Sequence, residues 1–177
     1  GDLVASSSGA TTISGTVSGN VVVGGAATVS GVVSGNLTAF GTNKTTITGI
    51  VRGNVYAEGP IELGWNARIE GNLITSDDSA LTVQGEILGN IVSNGSVTVN
   101  VWDRDYPGTI KARGAISLVG GNRIGQSIAG CTVGSVSNQI HWNQPPSGVV
   151  VAQKACQIDQ SALVFPQFTP EQKTQLL

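Results

Sequence analysis

The chain has 177 residues, enough for one domain with a buried interior, and 40% of them are hydrophobic while only 11% are charged. The hydrophobic share excludes a disordered linker, and the formal net charge of −2 provides no basic surface for nucleic acid or for an anionic membrane. The sequence contains no run of about twenty apolar residues, so we expect no helix that spans a bilayer.

A repeat centred on the dipeptide Gly-Asn organises residues 11–100. The dipeptide recurs at steps of 16, 18, 18 and 18 residues, with aliphatic residues two positions before and two after each glycine. Apolar and polar residues alternate within each copy, which is the pattern of a strand with one buried face. A unit of this length cannot bury its own apolar face, so we predict that each copy is one coil of three short strands and that the coils stack in parallel.

Stacking of the coils brings residues of the same column into contact. The asparagines are predicted to form a ladder of side-chain amides that bond to one another along the coil axis. Opposite charges become neighbours in two columns, as Arg52 with Glu70 and as Arg68 with Glu86, which supports the register. The ladder residues are Asn20, Asn36, Asn54, Asn72 and Asn90.

Trp65 occupies a column that is otherwise aliphatic. It either fills a locally wider rung of the interior or turns outward as a surface on which carbohydrate can stack. Of these two interpretations we favour the interior position, and we keep Trp65 among the possible surface contacts for a partner.

The repeat breaks after Asn100, and residues 101–108 are predicted to form an inserted loop. Trp102, Asp103, Asp105 and Tyr106 of this loop are candidate surface contacts for a partner. Alternate carboxylates in a loop suit calcium, but we favour a solvated loop and assign no metal and no cofactor. Alternation resumes at Ile110, so residues 109–140 are predicted to form two or three degenerate coils.

The C-terminal residues 141–177 are predicted to form a cap, because a solenoid end exposes unpaired strand edges that need a cover or a partner. Cys131 and Cys156 enclose a polar, proline-containing stretch. We predict that they form a disulfide, which would place the protein outside the cytoplasm. Thr169 and Pro170 are residue types of a helix N-cap and first helical position, so a short helix is expected to begin there.

The Val-x-Gly-Asn-Val core and the coils of 16 to 18 residues resemble the bactofilins over about residues 11–100. The resemblance implies a right-handed β-helix and polymerisation end to end into filaments without nucleotide. Similar glycine-punctuated solenoids occur in bacterial adhesins and in modules carried by minor pilins. Bactofilins are mostly cytoplasmic, and they lack a cysteine pair and a long aromatic tail of the kind found in this chain.

Catalytic groups are hard to assemble from this sequence. His141 is the single histidine, so one chain cannot supply a histidine triad or a zinc site of several histidines. Glycosidic cleavage needs two carboxylates at a fixed separation of about 5 to 10 Å. The carboxylates of the repeat have scattered offsets within their coils; they are Glu58, Glu62, Glu70, Asp77, Asp78 and Glu86.

We therefore predict an all-β, single-stranded parallel β-solenoid over residues 1–140, with regular coils at 11–100, followed by a cap at 141–177. The leading functional hypothesis is a non-catalytic structural or adhesive module of a bacterial cell-surface or appendage protein. It would associate with a protein partner, with itself or with a glycan through a coil end or an outer face. A bactofilin-like filament subunit and a polysaccharide-binding or polysaccharide-degrading domain are the alternatives.

Overall fold

The computed structural model describes residues 1–6, 9–100, 105–119, 123–124, 128–129, 133–135, 141–142 and 168–176. Within these residues the chain is a right-handed parallel β-solenoid with ~18 residues per turn. The predicted fold class is therefore confirmed. Each regular coil contributes one short strand to each of three sheets, which we call sheets 1, 2 and 3 in the order in which a coil reaches them.

Sheets 1 and 2 each have eight strands, and every strand runs parallel to its neighbours. The strands of sheet 1 are Leu3–Ala5, Val21–Val23, Leu37–Ala39, Val55–Ala57, Leu73–Thr75, Ile91–Ser93, Ile110–Ala112 and Ile128–Ala129. The strands of sheet 2 are Thr11–Ile13, Ala27–Val29, Thr45–Ile47, Ile61–Leu63, Leu81–Val83, Val97–Asn100, Ile116–Val119 and Val133–Ser135.

Sheet 3 has five two-residue strands, which are Thr16–Val17, Val32–Val33, Ile50–Val51, Arg68–Ile69 and Glu86–Ile87. A further three-stranded sheet, sheet 4, contains Asp105–Tyr106, Arg123–Ile124 and His141–Trp142. Its first strand lies next to the last strand of sheet 3. Among the described residues there is one helix, Pro170–Leu176, which we call the C-terminal helix.

The interior of the solenoid is a set of aliphatic columns that run along the stack. In sheet 1, Val21 pairs with Leu37 and Leu37 with Val55, and all three side chains are fully buried. Burial of an aliphatic side chain of this size contributes about 1.5–3 kcal/mol relative to exposure. The core is therefore continuous from coil to coil, and no single coil could supply it alone.

Glycine columns allow the coils to approach closely at their corners. A Cβ at Gly49 would lie 2.1 Å from the carbonyl oxygen of Gly31 in the preceding coil. A Cβ at Gly71 would lie 2.6 Å from the carbonyl oxygen of Gly53 and 2.7 Å from Oδ1 of Asn54. These separations are too short for any side chain, so the stacking distance itself requires glycine at these positions.

The asparagine ladder is present, but its hydrogen bonds differ from the predicted ones. The Oδ1 atom of each asparagine from Asn20 to Asn72 accepts the backbone N–H of the asparagine one coil later, at 2.8–2.9 Å. An amide-to-amide bond of 3.0 Å accompanies this pattern between Asn72 and Asn54. The side-chain oxygen thus supplies the acceptor that a backbone N–H needs where the strands are interrupted by a bend.

The ladder extends beyond the predicted repeat at both ends. Oδ1 of Asp2 accepts the N–H of Asn20 at 2.7 Å, and Oδ1 of Asn90 accepts the N–H of Thr109 at 2.9 Å. Gly1-Asp2 and Gly108-Thr109 therefore stand in the same column as the Gly-Asn pairs. Within the described residues Asp2 supplies only an acceptor to this ladder and Thr109 supplies a backbone donor, so neither bond requires an asparagine at these positions.

Residues 105–108 belong to the coil stack and not to a surface loop. Tyr106 is 1% exposed and lies in the same hydrophobic core as Ile87. Its hydroxyl donates to the carbonyl oxygen of Gly85 at 3.0 Å, so the polar end of the ring is satisfied inside the protein. The prediction that Tyr106 is a surface contact is wrong, because the ring fills space in the interior.

One of the two predicted charge pairs forms. Arg68 and Glu86 are register partners on adjacent strands, and their side chains are ion-paired. Glu70 contacts Arg68, with Oε1 3.3 Å from Nε, and does not take Arg52 as its partner among the described residues. Exposed pairs of this kind contribute less than about 1 kcal/mol, so they support the register more than they stabilise the fold.

Candidate functional site

The outer face of sheet 1 is largely apolar, although it points away from the core. A sheet with one face in water normally alternates apolar and polar residues. Here the strand Val21–Val23 is buried at all three positions, and so is the strand Val55–Ala57. Over the first six coils the outward column is Val4, Val22, Thr38, Tyr56, Ile74 and Val92, and Lys111 follows it.

The segment at residues 168–176 covers this face. The ring of Phe168 lies 5.2 Å, centroid to centroid, from the rings of both Phe40 and Tyr56. Val22 and Ile74 complete this second hydrophobic cluster, which is separate from the main core. Edge-to-face aromatic contacts of this kind stabilise a packed arrangement by about 0.5–1.5 kcal/mol beyond area burial.

An ion pair joins the C-terminal helix to the solenoid beside these rings. Lys173 is paired with Glu58, and its Nζ lies 5.6 Å from the centroid of the Phe40 ring. The other carboxylate oxygen of Glu58 accepts the N–H of Gly41 at 2.8 Å, where Gly41 has a φ of +87°. Glu58 therefore connects the helix to a tight bend of the preceding coil.

The C-terminal helix begins where the sequence predicts it. The backbone N–H of Thr169 donates to Oε1 of Gln172 at 2.9 Å, and the N–H of Gln172 donates to Oγ1 of Thr169 at 3.2 Å, which is a capping box. The helix lies against the side of the solenoid, however, and not over its end as the predicted lid would. The outward apolar column of sheet 1 accounts for this position.

Burial beneath this segment raises the pKa of Tyr56 above its ordinary value, chiefly because the phenolate would be desolvated. We expect Phe168→Ala to expose Tyr56 and to lower its pKa, as measured by phenolate absorbance during alkaline titration. A raised folded-state pKa means that the contribution of the neutral phenol to stability is complete below the unfolded pKa. It is lost as the pH rises through the folded pKa.

A Tyr106→Phe background would leave Tyr56 as the one titrating tyrosine of the chain's two. Leu176→Ala is the matched control, because Leu176 lies on the same helix and is exposed. If the Tyr56 titration is the same with and without Phe168, the docked position of the segment is wrong.

The first coil is an open end of the stack within the described residues. Its strands Leu3–Ala5, Thr11–Ile13 and Thr16–Val17 pair only with the second coil. Their other edges present unpaired backbone groups, and Leu3, Ala5 and Val17 are only partly buried there. This end is geometrically able to receive a further strand or coil.

Trp65 lies on a turn created by a two-residue shift within its coil. The register places Leu63, and not Trp65, beside Ile47. The bend before the strand Ile61–Leu63 is two residues shorter than the equivalent bend one coil earlier, and the bend after it is two residues longer. The prediction of an interior Trp65 is therefore wrong: the side chain is 55% exposed, as in the alternative interpretation.

A shallow groove of about 370 Å³ lies on the outer face of sheet 2, next to this turn. The strands Ile61–Leu63 and Leu81–Val83 share one registered residue pair, Glu62 with Thr82, whereas neighbouring strand pairs of sheet 2 share three or more. The residues that line the groove are Lys44, Ile61, Glu62, Leu63, Ala80, Thr82 and Gln84.

The other residues singled out in the sequence do not converge on a site. Glu58 contacts the C-terminal helix, Glu62 pairs with Lys44 at 2.5 Å, and Glu70 and Glu86 both contact Arg68. Asp77 accepts the N–H of Ser79 at 2.9 Å within its own bend. Trp102, Asp103, the side chain of Asp105, Cys131 and Cys156 lie outside the part of the chain that the structure describes, so the disulfide stays a prediction.

Sequence reasoning missed the sheet 1 surface and its cover. Unbroken runs of apolar residues in sheet 1 strands, such as Val21–Val23, were the available signal, because a strand that is apolar on both faces needs a covering element.

No family model, no curated protein and no solved structure matches this chain. In the described part of the chain, no helix is long and apolar enough to cross a membrane.

Proposed function

We propose that this chain is a non-catalytic, rigid structural or adhesive module of a bacterial cell-surface or appendage protein that lies outside the cytoplasm. The observation that carries the proposal is the continuous hydrogen-bond ladder from Asp2 to Thr109, which runs beside an unbroken apolar core. Coils joined by backbone, side-chain and core contacts resist bending. Such a stack presents its outer faces at fixed spacing, as a spacer or a binding platform requires.

Negative-stain microscopy and sedimentation velocity of the purified chain test this role. A discrete module gives short particles of one size, whereas long thin filaments would contradict it. The release of reducing ends from polysaccharides incubated with the protein would contradict the non-catalytic part of the proposal.

The proposed compartment depends on the predicted disulfide between Cys131 and Cys156. Alkylation without reductant, followed by intact-mass measurement, should leave both cysteines unmodified. Two alkylated cysteines would remove the main support for a location outside the cytoplasm.

A filament-forming subunit is the second candidate, and the uniform parallel pairing of successive coils favours it. Strands of one geometry pair edge to edge throughout sheets 1 and 2, so the same pairing between chains would continue the sheets. Concentration-dependent growth of filaments, followed by light scattering and microscopy, would favour this candidate over the discrete module.

A further inference from the structure

Trp65 is the most exposed large hydrophobic side chain among the described residues. Its backbone is nevertheless held in place. The N–H of Ala67 donates to the carbonyl oxygen of Gly64 at 3.0 Å and closes the turn. Gly64 rests directly on the coil beneath it, where a Cβ would lie 2.9 Å from Cγ2 of Thr48. The backbone that carries the indole is therefore fixed, which lowers the conformational entropy lost when a ligand binds.

The groove beside this turn supplies polar groups without net charge. Lys44 and Glu62 compensate each other across it through their 2.5 Å contact. Thr82 and Gln84 add a hydroxyl and an amide, each able to donate and to accept hydrogen bonds. Leu63 lines the groove and precedes Trp65 by two residues, so the turn that carries the indole begins beside the groove on the same coil. An aromatic side chain beside a few polar groups is the usual composition of a small-ligand site.

We propose that Trp65 and this groove form a binding site for a neutral polysaccharide chain. The apolar C–H face of a sugar ring stacks on the indole, and its hydroxyls bond to Gln84, Thr82 and the Lys44–Glu62 pair. This site would bind the ligand that the proposed adhesive role requires, and the proposal rests on that proposed function.

Three observations favour a glycan over other occupants. An extended peptide would bind along a free strand edge, but the strands of sheet 2 that border the groove are paired on both sides. A nucleic acid or an anionic polymer needs uncompensated basic charge, and Lys44 is neutralised by Glu62. A hexose ring combines an apolar face with several hydroxyl groups, which matches one exposed indole beside hydrogen-bonding side chains.

Isothermal titration of the purified chain with cellohexaose, chitohexaose and maltohexaose tests the site. We expect the wild type to bind at least one of these probes. Trp65→Ala should weaken that binding about tenfold or more, which corresponds to loss of one aromatic stacking contact. Trp65→Phe should retain part of the affinity. Leu176→Ala is the matched control, because it removes an exposed apolar side chain from the C-terminal helix and should bind as the wild type does.

The proposal is overturned if the wild type binds none of the three probes, if Trp65→Ala binds as tightly as the wild type, or if Leu176→Ala loses as much affinity as Trp65→Ala. If Trp65→Ala does not fold, Gln84→Ala is the second test. A several-fold loss of affinity in Gln84→Ala supports the site, and an unchanged affinity overturns it. Failure here is distinguishable from failure of the module hypothesis. If only the glycan site is wrong, the protein forms discrete, non-catalytic particles without glycan affinity. If the module hypothesis is wrong, filaments or released reducing ends are observed.

Discussion

Replacement of Gly49 by alanine is expected to destabilise the solenoid by about 3 kcal/mol or more. The added methyl group would meet the carbonyl oxygen of Gly31 at 2.1 Å and the carbonyl carbon of Ser30 at 2.7 Å. Both are backbone atoms, so no side chain can move aside. The N–H groups of Gly49 and Ile50 also bond to carbonyl oxygens of the preceding coil at 3.0 and 2.9 Å. Relief of the collision would break these bonds.

Gly15 provides the matched control for this substitution. It occupies the same column in the first coil, where a Cβ would meet nothing within 4 Å. Gly15→Ala should therefore change the free energy of unfolding by no more than about 0.5 kcal/mol. Urea denaturation followed by circular dichroism gives both values. Equal effects of the two substitutions would contradict the stacking distance at this corner.

Tyr106→Ala is expected to cost about 3–5 kcal/mol, the range for a large buried aromatic side chain. The substitution removes a ring that is 1% exposed from the main core. It also removes the hydroxyl that donates to the carbonyl of Gly85 at 3.0 Å. Tyr106→Phe keeps the ring and loses the hydroxyl with its bond to Gly85, so it should cost about 1 kcal/mol.

The same denaturation experiment separates this structure from the loop predicted for residues 101–108. A tyrosine in a solvated surface loop would tolerate both substitutions within about 0.5 kcal/mol. A small effect of Tyr106→Ala would therefore place the residue outside the core and return it to the set of surface contacts.

The regular part of the fold could be predicted because each column repeats one physical requirement. Positions two before and two after each glycine face the core, and the glycine itself lies against the preceding coil. Five copies of the same pattern defined the register, and the pairing of Arg68 with Glu86 agrees with it. Gly1-Asp2 and Gly108-Thr109 differ from Gly-Asn in residue identity, however, so the dipeptide repeat does not reveal that Asp2 accepts and Thr109 donates a ladder hydrogen bond.

The irregular parts could not be predicted from column positions counted from the glycine. Around Trp65, two residues move from one bend to the next while the coil keeps its step of 18 residues, so the count does not reveal the shift. The contact of Phe168 with Phe40 and Tyr56 joins segments that are far apart in the sequence. No periodicity specifies such a contact, although the apolar outer face of sheet 1 indicated that a cover was needed.

Amide hydrogen exchange of the ladder asparagines tests the coil stack most directly. Asn36 and Asn54 are exposed at corners of the coils, where backbone N–H groups ordinarily exchange fast. Because each of these groups donates to a side-chain oxygen of the preceding coil, at 2.9 and 2.8 Å respectively, their exchange should be as slow as that of the neighbouring strands. Exchange of these amides at the rate of unprotected turns, while the strands stay protected, would contradict the ladder and the rigid module proposed from it.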